Sequence, residues 1–167
     1  MAVVTGHLVW TPEIRDWRER ENRHVCVDAP FRPRPYTRLT RRGMWRSDAA
    51  RYLKWRAEAR DYFGLLLKDV EPLEGKLGIA FGFGAEMALD GGRRRTCVRH
   101  WDLGNLVKAT EDALQGILFA NDRSVRWYGP CYADDDGSSW ISVHVWEGGP
   151  WREEWVGKTV MKGVTVT

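Results

Sequence analysis

Apolar residues recur along this chain at two different periods, and the changes of period mark its elements. Between residues 23 and 28, R-H-V-C-V-D alternates as a half-buried strand does. Pro30, Pro33 and Pro35 then impose an extended, non-helical path that holds the arginines between them away from the chain. Residues 40–45, around Gly43, read as a turn or hairpin tip. From Ser47, a candidate N-cap, the apolar positions Tyr52, Trp55, Ala59, Tyr62 or Phe63, and Leu66 return every three or four residues, which predicts a helix ending near Lys68. Pro72 and Gly75 punctuate the chain, L-G-I-A-F-G-F at 77–83 predicts a buried strand, and Asp90-Gly91-Gly92 turns toward a second strand at 96–102. The period then becomes helical, with Leu106, Thr110, Ala113, Leu114 and Ile117 on one face of a helix from about Gly104 to Leu118. Residues 125–132 and 140–146 predict a final strand pair joined across 133–139, where Asp134-Asp135-Asp136-Gly137 is turn chemistry.

Strand, helix, two strands, helix, two strands is the order of an α+β fold: a single domain with a mixed β-sheet of about five strands and two main helices. The expected layout is an N-terminal extension at 1–22, the domain at 23–147 and a Gly- and Trp-rich C-terminal tail at 148–167. A chain of 167 residues is long enough to bury a core without disulfides or a structural metal. Its three cysteines, Cys26, Cys97 and Cys131, include no C-x-x-C pair, which argues for reduced thiols. No apolar run approaches the roughly 18 to 20 residues of a membrane span, and the first residues lack the pattern of a secretory leader. The expectation is a cytoplasmic protein with no membrane partner.

Charge changes this picture more than composition does. The net charge of +3 divides into +7 for residues 1–60 and −4 for the remainder. Between residues 32 and 56 lie Arg32, Arg34, Arg38, Arg41, Arg42, Arg46, Arg51, Lys54 and Arg56, against the single acid Asp48. Such a block suits a polyanion, and the excess of Arg over Lys suits phosphate, which the guanidinium fork grips at two points. A second group, Arg93, Arg94, Arg95 and Arg99, precedes the segment richest in chemistry.

In that segment Asp102 stands where a strand is expected to end, and Asn105, Lys108 and Asp112 follow at spacings of three and four, on one stripe of the next helix. Asp122 comes just beyond the helix. Two carboxylates with a lysine between them can hold a hard cation and a phosphate together, because Mg²⁺ needs only one or two carboxylates when phosphate and water complete its octahedron. The same spacing also describes an ordinary amphipathic helix with a solvated polar face. Asp134 to Asp136 lacks the following Glu of a calcium loop, and Gly82-x-Gly84 lacks the third glycine of a nucleotide fold, so no nucleotide cofactor is expected. Trp45 and Trp101 are candidates for stacking on unpaired bases.

Taken together, these motifs resemble those of the RusA-type Holliday junction resolvases. The family pattern is an Arg-rich approach, D-x-D-N-x-x-K, then D-A-L, then D-D; here Asp102-Leu-Gly104-Asn105-Leu-Val-Lys108, Asp112-Ala113-Leu114 and Asn121-Asp122 stand in those places. The approach R-P-R-P-Y-T-R-L-T-R-R-G at 32–43 is similar to the family's, and the likeness runs from about 23 to 146. It implies a homodimeric, Mg²⁺-dependent endodeoxyribonuclease, with Mn²⁺ as a substitute metal, that resolves four-way DNA junctions in recombination and repair, in a bacterial or phage setting. It also implies that Asp102, Asp122, Lys108 and Asn105 are the catalytic residues: Asp102 and Asp122 as metal ligands, Lys108 as a phosphate contact and Asn105 as a support. The DNA-binding surface it implies comprises Arg32, Arg34, Arg38, Arg41, Arg42, Arg46, Arg94, Arg95 and Lys108.

Two positions depart from the pattern. Gly104 replaces its second Asp, and Asn121 the first member of its D-D pair. Losing a carboxylate removes a charge and a ligand, so His100, Glu111 and Asp112 are candidate substitutes. The alternative is a catalytically silent junction- or nucleic-acid-binding protein of the same fold.

Overall fold

The computed structural model describes residues 13–19, 22–39, 47–84, 88–90, 93–95, 102–134 and 138–151. In order they form β1 (Glu13–Glu19), β2 (Asn22–Ala29), α1 (Ser47–Leu66), β3 (Leu77–Gly84), β4 (Ala88–Asp90), β5 (Arg93–Arg95), α2 (Leu103–Leu114), a 3-10 turn (Asp122–Ser124), β6 (Val125–Asp134) and β7 (Trp140–Glu147). The main sheet runs β1-β2-β7-β3-β6, with β4 and β5 paired in a separate ribbon. Within the main sheet β3 and β6 run parallel and the other neighbours antiparallel, so the sheet is mixed and the fold α+β, as expected. Four strands, β2, β7, β3 and β6, carry the packing, and β1 joins them as an edge strand from within the stretch read as an extension.

One face of this sheet builds the core. Val25 and Val27 of β2, Val143 and Val145 of β7 and Ile79 and Phe81 of β3 meet Tyr52, Ala59 and Phe63 of α1 and Leu106, Ala109 and Leu114 of α2, all buried. Alternation in L-G-I-A-F-G-F-G thus sends the large residues of β3 toward the helices. Its glycines lie on the other face, beneath tryptophans. A Cβ at Gly78 would overlap the Trp146 indole, and one at Gly84 the Trp140 indole. That face also buries a polar stripe in which His24 Nε2 lies 3.0 Å from His144 Nδ1 and Cys26 Sγ 3.5 Å from His144 Nε2. Neither Cys26 nor Cys131 is in a disulfide.

Three expectations are corrected. Residues 125–132 and 140–146 do form strands, but not a hairpin, because β3 lies between β6 and β7. β6 and β7 are therefore two strand spacings apart, about 10 Å, and nothing local in the sequence announces a third strand between them. The second helix stops at Leu114 rather than Leu118: Gln115 is extended, Gly116 adopts φ 79°, and Arg60 donates to the carbonyls of Asp112, Ala113 and Gln115. Apolar residues continue past that end because Leu118 and Phe119 are buried in the turn. Asp102 does not close a ladder but is the N-cap of α2, and an N-cap has strand-like dihedrals, here φ −63° and ψ 119°. Residues 40–45 and 96–101 lie outside the described residues. No described helix is long and apolar enough to cross a membrane.

Candidate active site

The proline- and arginine-rich approach, residues 30–39, is fastened to both helices. Trp55 of α1 donates its indole N–H to the Arg32 carbonyl at 2.8 Å, and the Phe31 ring packs 5.3 Å from that of Tyr62. Farther on, the Tyr36 N–H donates to the Asn105 carbonyl in the first turn of α2 at 2.8 Å. A segment without regular structure is thereby held across α1 and delivered to the head of α2. Arg32 and Arg38 are exposed along it, and Arg34 is half-buried. Partial burial, with the neighbouring Arg51, pulls the Arg34 guanidinium below its ordinary range. Arg41, Arg42 and Arg46 lie outside the described residues, as do His100, Trp45 and Trp101, and of Arg94 and Arg95 only the backbone, in β5, is described.

At the head of α2 the Asp102 carboxylate accepts from the Gly104 N–H at 2.9 Å and from the Asn105 side-chain amide at 3.5 Å. An exposed carboxylate is favoured there by the unsatisfied N–H groups and the positive end of the helix. One turn later Lys108 Nζ sits 2.9 Å from Asp112 Oδ1 and 3.2 Å from Asp122 Oδ2. Burial works against the ammonium charge, but the hydrogen bonds of Asp112 and Asp122 and the charges of Asp112 and Glu111 outweigh it, and the Lys108 pKa rises. Asp112 is itself oriented by the Tyr52 hydroxyl, which donates to Oδ2 at 3.3 Å from the buried face of α1. Burial and Asp112 both push the Tyr52 pKa up.

The expected residues are thus brought together in two groups, Asp102 with Asn105 and Lys108 with Asp122. Asp112 joins the second group. Asn121 has a structural role, because its side-chain oxygen accepts from the Arg123 N–H at 3.0 Å and caps the turn that begins at Asp122. Among the described residues a Cβ at Gly104 would meet only Asp102 Oδ1, at 3.3 Å, so the Asp102 carboxylate would have to give slightly.

Nothing in the spacing of the motifs points to Tyr128. Its hydroxyl donates to both oxygens of Glu111, at 3.2 and 3.4 Å, although its ring is 57% exposed. Strand alternation does not forecast this, because β3 and β6 shift register twice, between Leu77 and Gly78 and between Ile79 and Phe81. Tyr128 then pairs with Ile79, on the helix side of the sheet. Glu111 is 4% exposed, and burial, with Asp122 and Asp112 adding repulsion, raises its pKa against the opposing pull of Lys108 and Tyr128. Burial and Glu111 push the Tyr128 hydroxyl up to about 12.

Among the described residues no three His, Cys, Asp or Glu side chains converge as a ready cage for a metal. The donor chemistry nonetheless fits a hydrated divalent cation. Asp112 and Asp122 flank one ammonium at 2.9 and 3.2 Å, and Asp102 and Asp122 are exposed to water. Mg²⁺ takes such a site with one or two carboxylates and keeps most of its water.

A family model described as Endodeoxyribonuclease RusA matches residues 30–140, from the start of the arginine-rich approach to the first residue of β7. No curated protein matches the chain.

Proposed function

The chain belongs to the RusA endodeoxyribonuclease family, and from that premise we propose that it is a Mg²⁺-dependent, structure-selective endonuclease that resolves four-way DNA junctions as a homodimer. The observation that carries the reading is the Lys108 ammonium, held between Asp112 and Asp122 on the helix that the exposed Asp102 caps. Asp102 and Asp122 are the residues that would hold Mg²⁺, with Mn²⁺ as its substitute. When bound, the ion activates water and steadies the leaving oxygen of the scissile phosphodiester.

The chain's own groups do the rest. Asn105 and the Gly104 N–H fix the Asp102 carboxylate before substrate arrives, so its orientation costs nothing at the moment of reaction. Lys108 meets the non-bridging phosphate oxygens, where negative charge grows as water attacks, and Asp112 with Tyr52 keeps that ammonium charged and aimed. Exposed Arg32 and Arg38, with half-buried Arg34, grip flanking phosphates, and the Trp55 and Tyr36 hydrogen bonds set their distance from the site. Contacts of this kind read backbone shape rather than base sequence. The setting consistent with the family is recombination and repair in a bacterium or its phage.

A second reading is favoured by Gly104: a junction-binding protein of the same fold that does not cut. One experiment separates the two. A labelled four-way junction and a duplex of equal length are incubated with the chain and with Gly104→Asp, in Mg²⁺, Mn²⁺ or EDTA. Metal-dependent nicking of the junction by the unaltered chain supports the nuclease; binding without nicking, with nicking gained by Gly104→Asp, supports the silent binder. Equal treatment of junction and duplex contradicts both.

A further inference from the structure

Position 111 of α2 is set among core residues. Its neighbours Ala109, Thr110, Ala113 and Leu114 are buried, and packing alone asks for an apolar side chain there. The residue present is Glu, 4% exposed, and it accepts one hydroxyl, that of Tyr128. Burying a carboxylate is costly, and Tyr128 has no need of it, because a side chain that is 57% exposed could give its hydroxyl to water. What the pair achieves is to fix an exposed aromatic ring. β6 holds the ring at one end and a buried carboxylate grips its hydroxyl at the other, so its orientation is settled before any ligand arrives.

The ring lies beside the proposed site. Lys108 and Glu111 are three residues apart on α2, surface neighbours at about 5 to 6 Å between Cβ atoms, and the Lys108 charge acts on both Glu111 and the Tyr128 hydroxyl. Tyr128 is also the fourth residue of β6, which leaves the Asp122 turn directly, so it stands within about 10 Å of the first residue of that strand. Arg123 and Arg126 are exposed along the same stretch, and among the described residues neither side chain has an ion pair. Two unpaired guanidiniums and a fixed aromatic ring, leading away from Asp122, suit the backbone and a base of one DNA strand. In a continuous duplex each base face is covered by its neighbours. At the crossover of a four-way junction that stack is interrupted, and a base there can lie on an aromatic ring whatever its identity, because every base has a π-face.

We propose that Tyr128 is a stacking residue, covering a base at the crossover next to the phosphate that Lys108 meets, with Arg123 and Arg126 on the flanking backbone. Glu111 is a positioning residue that acts through Tyr128. This rests on the junction-directed reading above and adds to it a contact that only an interrupted stack can accept.

The test uses the full chain in EDTA, with a four-way junction carrying 2-aminopurine at the crossover and a duplex of equal length. At saturation the unaltered chain should quench the 2-aminopurine emission. Tyr128→Ala should lose that quenching and raise the junction Kd about tenfold, the fold-change that 1.4 kcal/mol represents and within the range for one stacked base, with the duplex Kd unchanged. Tyr128→Phe keeps the ring and should still quench. Because Tyr128→Ala strands the Glu111 carboxylate, the same change combined with Glu111→Leu gives a variant without a buried orphan charge, and it should behave as Tyr128→Ala does. Glu111→Leu alone should weaken junction binding about threefold, less than loss of the ring, and Glu111→Gln, which still accepts from Tyr128, should restore it. If the unaltered chain prefers the junction but does not quench, or if the double variant quenches and binds as the unaltered chain does, the inference is overturned and the junction-directed reading stands. An equal loss for junction and duplex overturns stacking as well, and Glu111→Leu indistinguishable from the unaltered chain overturns the positioning role. No preference for the junction in the unaltered chain overturns the inference and the reading together.

Discussion

Removing one hydroxyl, by Tyr128→Phe, isolates the energetics of the buried carboxylate. The Tyr128 oxygen lies 3.2 and 3.4 Å from the two oxygens of Glu111, which has no other hydrogen-bond donor among the described residues. A hydrogen bond to a charged group contributes about 1.5 to 3 kcal/mol. Because the Tyr128 ring is 57% exposed, water can enter beside it and replace part of that bond. The expected loss is therefore at the lower end, about 1 to 2 kcal/mol. For a chain of 167 residues that is a fall in Tm of about 2 to 8 °C. The loss also depends on pH. The Glu111 pKa is raised by burial, so the folded chain binds this proton more tightly than the unfolded chain does, and the penalty appears as pH rises past the ordinary carboxylate range. Tyr128→Phe should cost little where Glu111 is protonated and its full amount where Glu111 is ionised. Urea unfolding followed by tryptophan fluorescence at pH 5 and pH 8 measures both. A variant as stable as the parent at pH 8, or one that loses more at pH 5, would refute the reasoning.

Other expectations follow from the same geometry. Asp112→Asn strips Lys108 of its shorter ion pair, and kcat should fall about tenfold, on the order of 1.4 kcal/mol, with KM little changed; an unchanged kcat would contradict the role. Gly78→Ala drives a methyl group into the buried Trp146 indole and should destabilise the fold by about 3 kcal/mol, the upper range for overpacking, with calorimetry as the check. If about six cations each neutralise a phosphate, log affinity for a four-way junction should fall against log salt with a slope near −5. A slope near zero would remove the arginine-rich approach from the binding surface.

Much of the fold was legible because its signals are local. β3 alternates large residues with glycine, and α1 repeats Tyr52, Trp55, Ala59 and Phe63 at helical spacing, so both appear within a residue or two of where they were expected. The path of the chain was less legible. The insertion of β3 between β6 and β7 is a long-range pairing, and the Asp-rich loop carries the same turn chemistry whether or not a strand intervenes. At the site, the spacing of Asp102, Asn105, Lys108 and Asp112 gave the helix stripe, and the motifs around it gave the family. What spacing could not give was the second layer: Tyr52 reaches Asp112 from another helix, and Tyr128 reaches Glu111 only because two irregularities in the β3–β6 pairing change which way its side chain faces. Glu111 was readable as a candidate substitute for the missing carboxylate, but its burial and its Tyr128 partner were not.

The most direct measurement is single-turnover cleavage of a labelled four-way junction in Mg²⁺ by the unaltered chain and by Asp122→Asn, with binding recorded in the same samples. The account predicts that both bind the junction in preference to duplex and that only the unaltered chain nicks it. Nicking by Asp122→Asn at the parent rate, or no preference for the junction in either protein, would contradict it.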